Sequence, residues 1–206
     1  MRCREIRVYL SLICRAKLFS YMSSEIILQQ HAINYIMKGK IIFTFSGVLY
    51  AGLMITKSGP MTLEFNCRFG DPETQVLMTL LESDLYTVMN ACVDGTLNKL
   101  QVAWNTKLSA VGVVIASKGY PETSTKGCVI SGLSQVQSTP GLVVFYSGVS
   151  RGANGSLVSW GGRVVLACAR AGSLRAAAAA ATAAASVIDF PGAHYRKDIA
   201  HRAFSK

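Results

Sequence analysis

The 206-residue sequence has no Cys-x-x-Cys pair among its six cysteines, and its three histidines (His31, His194, His201) lack zinc-site spacing. A structural zinc module is therefore excluded. The cysteines, Cys3, Cys14, Cys67, Cys92, Cys128 and Cys168, are far apart and several lie in apolar runs. Buried free thiols in a reducing, cytoplasmic compartment are the expectation. No stretch has the length and hydropathy of a membrane span. The most apolar, Ala176 to Ile188, is short, mostly alanine, and interrupted by Thr182 and Ser186. There is no internal repeat, no clustered Lys/Arg run and no RNA-binding aromatic signature, which argues against a nucleic-acid partner.

What is present describes a globular chain. Half of the residues are hydrophobic and 16% are charged, with eight Tyr, eight Phe and two Trp, a composition that disordered segments do not have. The net charge of +10 is divided unevenly: residues 1–46 hold seven Lys/Arg against two acids, and residues 47–206 hold fourteen against nine. The larger part is thus only mildly basic for its length, which suits small phosphorylated substrates.

Residues 1–23 form an extension without assigned role. Residues 24–38, with Ile26, Ile27, Ala32, Ile33, Ile36 and Met37 at helical intervals, predict a helix. Gly47 to Ile55 is a buried strand-length run, Lys57-Ser58-Gly59-Pro60 a turn, and Met61 to Asn66 a second strand, so a hairpin is expected. Glu73 to Cys92 is helical with a break near Ser83-Asp84. From about Leu100 the chain changes to short strands, Ala110–Ala116, Cys128–Leu133, Leu142–Ser147, Ser156–Trp160 and Arg163–Ala169. An alanine-rich helix follows, capped by Ser173 and finished before Pro191-Gly192. A boundary near residue 99 divides an α+β chain into residues 24–99 and 100–206.

The densest chemistry lies in Leu63-Glu64-Phe65-Asn66-Cys67-Arg68-Phe69-Gly70-Asp71-Pro72-Glu73. Alternate side chains of a strand share a face, so Leu63 and Phe65 are expected in the core while Glu64 and Asn66 point the other way. Two oxygen donors one pleat apart can share a hard cation, and Arg68 on the same face offers a fork to a carboxylate or phosphate. The same pattern also fits a merely solvated strand face. Ser117-Lys118-Gly119, at a strand end, can present N–H groups and an ammonium to phosphate or be an ordinary turn. Gly161-Gly162 predicts a tight turn, and Arg163 after it faces either substrate or a neighbouring acid. Arg196, Asp198 and Arg202 are expected to form an ion-pair set that seats the C-terminus.

The run Gly47-Val48-Leu49-Tyr50-Ala51-Gly52-Leu53-Met54, followed by Glu64-Phe65-Asn66-Cys67-Arg68-Phe69-Gly70-Asp71-Pro72-Glu73, resembles the ATP-grasp core of the glycinamide ribonucleotide synthetases, or phosphoribosylamine–glycine ligases. Further landmarks follow in order: Ser83-Asp84-Leu85, Ala116-Ser117-Lys118-Gly119-Tyr120-Pro121, Lys126-Gly127, Gly161-Gly162-Arg163-Val164 and Tyr195 through Ala203. The resemblance covers residues 47–204. It implies the C-terminal part of an ATP-grasp domain, built of antiparallel strands with helices, then a small β-rich domain with one alanine-rich helix. It implies Mg²⁺ or Mn²⁺ on Glu64 and Asn66, ATP as co-substrate, and Arg68 as the catalytic, substrate-facing arginine. Substrate or phosphate contacts are assigned to Arg68, Asp71, Ser117, Lys118, Gly119 and Arg163.

The implied reaction joins glycine to 5-phosphoribosylamine in purine biosynthesis, needs no nucleophilic side chain, and occurs in a synthetase that is sometimes fused to other purine-pathway domains. The chain departs from the family at Ala200, where the family has Gly, and lacks the upstream half that grips ATP, so no ligase activity is expected of the chain alone. Two other classes remain: a non-catalytic interaction module, and a basic nucleic-acid binder.

Overall fold

The computed structural model describes residues 6–10, 25–28, 47–56 and 59–204. The chain divides into two compact units, one of residues 1–74 with 81–104, the other of residues 75–80 with 105–206.

In the first unit the apolar run forms β3 (Gly47–Thr56), which turns back into β4 (Gly59–Asn66). Gly59 and Pro60 already pair with Thr56 and Ile55, so the turn is tighter than the sequence suggests. The other edge of β3 carries two strands end to end, β1 (Ile6–Leu10) on residues 51–55 and β2 (Glu25–Leu28) on residues 47–50. The helix expected from residue 24 is therefore corrected at Glu25–Leu28. Adjacent β-branched Ile26 and Ile27 find a free ladder edge on β3, and pairing overrides the helical period. The rest of that segment, 29–38, lies outside the described residues.

Val48 through Ala51 are buried, whereas Leu63 and Phe65 are 48% and 45% exposed, contrary to the core role expected of them. The register shift between Gly52 and Leu53 explains part of this, because it leaves Leu63 as the extra residue of a β-bulge. α1 (Glu73–Met78) and α2 (Leu85–Val93) are separated at the expected break. Asp84 caps α2, its carboxylate accepting from the Thr87 N–H and hydroxyl at 2.7 Å each, and these bonds hold it below the usual carboxylate range. Val88 and Cys92 of α2 pack with Val48 and Leu97.

The second unit is an antiparallel sheet of β10 (His194–Tyr195), β5 (Ser109–Ala116), β9 (Arg163–Ala171) and β6 (Leu142–Tyr146), in that order. Val164 to Ala169 are buried without alternation, as a strand covered on both faces must be. On one face Val111, Val113 and Ile115 join the buried alanines of α4 (Leu174–Val187). On the other, a Cβ at Gly112 would stand 2.8 Å from Val76 and 3.0 Å from Leu166, so the glycine is what lets Val76 of α1 approach. Ser173 caps α4 as expected, its hydroxyl accepting from the Ala176 N–H at 3.2 Å.

Three further corrections concern this unit and the cysteines. Cys128–Leu133 is not a strand: Val129 and Ser131 make isolated bridges, and Leu133–Gln137 forms the short helix α3. Gly132 ends the extended run by entering the left-handed region at φ 79°, where a Cβ would fall 2.0 Å from the Val187 carbonyl oxygen. A small hairpin, β7 (Val149–Arg151) with β8 (Leu157–Ser159), was visible from sequence only in its second strand. Cys92 and Cys168 are buried and in no disulfide, but Cys67 is exposed and Cys128 half-buried. Burial pushes the Cys168 thiol up from its ordinary value, opposed by Thr79, whose Oγ1 lies 3.8 Å from the sulfur. No helix among the described residues is long and apolar enough to cross a membrane.

Ala200 adopts φ 64°, the one described non-glycine residue with positive φ. For an L-residue that region costs about 1–2 kcal/mol, partly offset in glycine by its greater unfolded-state entropy. Ala200→Gly should therefore raise the stability of the second unit by about 0.5–1 kcal/mol. A urea midpoint that is unchanged or lower would show that the strain is absorbed elsewhere.

Candidate functional site

Asn66 stands opposite Tyr50 and Glu64 opposite Gly52 in the β3–β4 ladder, so all four share one face. A Cβ at Gly52 would lie 3.2 Å from Glu64 Cγ, closer than most Cβ contacts, and the glycine gives the carboxylate stem its room. Past the strand end Arg68 folds back, Nη2 donating to Asn66 Oδ1 at 3.3 Å and Nη1 to the Phe69 carbonyl at 2.8 Å. The face therefore brings Glu64, Asn66 and Arg68 together.

Tyr50 and Glu73 join them, the Tyr50 hydroxyl donating to Glu73 Oε1 at 3.2 Å. Sequence reasoning missed this pair. The signal was the two-residue period Val48, Tyr50, Gly52, which puts Tyr50 on the face of Asn66. Asp71 is exposed in the turn before α1.

This donor set fits a divalent cation of the Mg²⁺ type. Such ions take few protein oxygens and complete their shell with water and substrate phosphate, and Glu64 is solvent-exposed with an amide oxygen one pleat away. No group of three or more His, Cys, Asp or Glu that could hold a metal occurs among the described residues, which excludes a closed all-protein cage there.

In the second unit Ser117 is corrected. It is fully buried, its hydroxyl donating to the Gly161 carbonyl at 2.9 Å, so it anchors the turn rather than meeting a phosphate. Lys118 and Gly119 are exposed, and Gly119 holds φ 90°, where a Cβ would strike Thr123 Oγ1. Arg163 starts β9 opposite Ala116, beside that turn. Lys118, Gly119 and Arg163 thus gather at one end of the sheet.

Arg196 and Asp198 form a bidentate pair, with bonds of 2.9 and 2.6 Å, but the side chains are 74% and 57% exposed. Each raises the charge preference of the other: the guanidinium pKa goes up and the carboxylate goes down, both mainly through the shared hydrogen bonds. An ion pair this exposed adds little to the seating of the C-terminus.

Charge separates along with chemistry. Residues 47–104 hold three Lys/Arg against six Asp/Glu, and residues 105–206 hold eleven against three, or −3 and +8. The carboxylate and amide thus sit in an acidic segment and the exposed lysines in a basic one.

The paired oxygens lie on an antiparallel hairpin, which a β-rich unit follows in the chain. Residues 12–74 match the sequence model of the phosphoribosylglycinamide synthetase ATP-grasp (A) domain, and residues 110–202 match that of the phosphoribosylglycinamide synthetase C domain. The chain belongs to the phosphoribosylglycinamide synthetase family.

It is 51% identical over 196 residues to the trifunctional purine biosynthetic protein adenosine-3 of Drosophila melanogaster, covering 93% of this chain and 14% of that protein. To the phosphoribosylamine–glycine ligase of Neisseria meningitidis it is 45% identical over 163 residues, covering 79% of this chain and 38% of the relative. The crystal structure of the Thermotoga maritima phosphoribosylamine–glycine ligase superposes with a TM-score of 0.59 at 31% identity, over 76% of this chain and 38% of that one. A Rhizobium etli pyruvate carboxylase, at 12% identity and a TM-score of 0.51 over 73% of this chain and 16% of that one, shares the fold alone. The chain thus spans well under half the length of the curated relatives it matches.

Removing the carboxylate should weaken divalent-ion binding most. Mn²⁺ titrated by electron paramagnetic resonance should bind Glu64→Ala at least about tenfold more weakly, since losing even an outer partner of a metal ligand weakens metal binding about 10–100-fold. Asn66→Leu should show a smaller loss. Equal binding by all three proteins would place the ion elsewhere.

Proposed function

We propose that the chain is the C-terminal part of a phosphoribosylamine–glycine ligase, which joins glycine to 5-phosphoribosylamine at the expense of ATP. In the reaction the glycine carboxylate attacks the γ-phosphorus of ATP, releasing ADP and forming glycyl phosphate. The amine of phosphoribosylamine then displaces inorganic phosphate, giving glycinamide ribonucleotide. The observation that carries this reading is the shared face of Glu64 and Asn66, within a motif that the family match covers.

Glu64 and Asn66 would hold Mg²⁺ or Mn²⁺, which when bound supplies positive charge to the phosphate oxygens during transfer. Asn66 Oδ1 would exchange its long contact with Arg68 for that ion, freeing the guanidinium to face an anionic reactant. Tyr50, donating to Glu73, keeps a second carboxylate beside the same face. Lys118, Gly119 and Arg163 are assigned to phosphate or substrate contacts, and Asp71 to the substrate side of the turn before α1. No side chain forms a covalent bond; placing two reactants accounts for much of the rate.

The trifunctional names of the insect relatives support a synthetase fused to other purine-pathway domains. A second reading is favoured by the exposed Met61, Leu63 and Phe65 on β4: a non-catalytic module that associates with an intact synthetase. Co-purification lost on Phe65→Ser would support it.

The 206 residues assayed alone with ATP, glycine and fresh phosphoribosylamine should give no product, and robust turnover would overturn that expectation. Residues 47–204 grafted over the matching stretch of the Neisseria meningitidis enzyme should sustain ligation. Glu64→Ala should reduce that activity at least about a hundredfold, the scale of losing a major electrostatic contribution to the transition state. A fully active Glu64→Ala graft would refute the metal role.

A further inference from the structure

Two serines, Ser117 and Ser159, are fully buried, and both lie at the neck of one exposed loop. At its start the Ser117 N–H donates to the Gly162 carbonyl at 2.8 Å and the hydroxyl to Gly161 at 2.9 Å. At its end Ser159 donates its hydroxyl to the Thr125 carbonyl at 3.1 Å and accepts from the Cys128 N–H at 3.2 Å. The Gly127 N–H closes the neck on the Ser159 carbonyl at 2.7 Å. Burying a hydroxyl without a partner costs about 1–3 kcal/mol, so paired hydroxyls at both ends resist opening of the neck.

Between the pins, residues 118–126 are exposed except for Ser124. Inside the loop the Thr123 N–H donates to Gly119 at 2.9 Å and the Tyr120 N–H to Ser117 at 3.2 Å. Three glycines leave no slack around it. A Cβ at Gly162 would enter the Tyr120 ring at 2.3 Å, one at Gly192 would meet Lys118 Cβ at 2.7 Å, and Gly119 itself abuts Thr123. The loop is a braced surface, and ordering it on binding would cost little entropy.

The braced surface carries cations. Lys126 Nζ lies 5.3 Å from the centroid of Trp160, which is 56% exposed, so the ring fixes the ammonium while solvent still reaches it. Lys118 is exposed at the start of the loop, and the loop itself carries a shallow depression of about 230 Å³ lined by Tyr120 to Ser124 and Gly162. Glu122 is the only acid of the loop, in a segment whose net charge is +8.

We propose that the loop 118–126 is a preformed site for a phosphomonoester, in which Lys126, held by Trp160, is a second binding cation beside Lys118. Its occupant, a ribose 5-phosphate moiety, rests on the ligase reading; the anion site itself does not. The phosphate would take the ammonium groups, and the sugar would lie over the depression beside Tyr120.

The test is calorimetric titration of ribose 5-phosphate into the whole chain, with ribose and inorganic phosphate as controls. Saturable binding is expected for ribose 5-phosphate, weaker binding for phosphate, and none for ribose. Lys118→Met and Lys126→Met should each weaken it about tenfold, as loss of one charged hydrogen bond does. Both lysines are exposed, so neither change threatens folding. Trp160→Leu, which keeps the charge but removes the ring, should weaken it less.

No saturable binding by the unaltered chain, or full affinity in Lys126→Met, would overturn the proposal. Mn²⁺ binding and the grafted enzyme separate the two readings. Phosphate binding through the lysines without metal binding at Glu64 would sink the ligase reading and leave this one standing. Metal binding with indifferent lysines would do the reverse.

Discussion

The pleat of β3 and β4 is the constraint on which the rest of the chemistry depends. Because side chains alternate, Glu64 and Asn66 can reach one ion only if both the ladder and the strand hold their register to the last residue. Tyr50 and Gly52 enforce this from the neighbouring strand, one by its hydroxyl bond to Glu73 and the other by having no side chain. The bulge that frees Leu63 comes before Glu64, so the disturbance falls outside the Glu64–Asn66 pair. A slip of one residue would send both oxygens to the opposite face.

The two units answer different electrostatic demands. On the roles proposed for them, the acidic stretch would favour a divalent cation at Glu64, and the basic stretch a phosphate at the strand-end loop. Each arrangement keeps its charged groups at the surface and spends its burial on neutral groups: a tyrosine in the first, two serines in the second. Buried hydroxyls can be satisfied by backbone carbonyls, whereas buried ammonium or carboxylate groups would have to be neutralised or paired.

Much of this was legible in the residues. The hairpin followed from an apolar run, the turn signal of Lys57-Ser58-Gly59-Pro60 and a second strand-length run; the alanine helix followed from Ser173 and Pro191-Gly192. The motif from Glu64 to Glu73 pointed to the family that the comparisons support. What escaped depends on partners distant in sequence. Ser117 looked like a phosphate contact because nothing local says that Gly161 and Gly162, some forty residues on, will take its hydrogen bonds. Lys126 gained interest only when Trp160 came beneath it. Glu25–Leu28 became a strand because β3 offered an edge, and Leu63 lost its place in the core to a bulge that no period reveals. Ala200 is the opposite case: the departure from glycine noted in the sequence coincides with a left-handed backbone.

The alanine face of α4 carries one more implication. Ala177, Ala181 and Ala185 have no exposed surface, and they meet strands whose own side chains are branched and bulky. The helix therefore works as a spacer of fixed thickness, thin on its inner side so that valine and isoleucine can be thick. Evolution can repaint its outer side freely, but each added carbon on the inner side would have to be subtracted from β5 or β9, so the two surfaces can change only as a matched set.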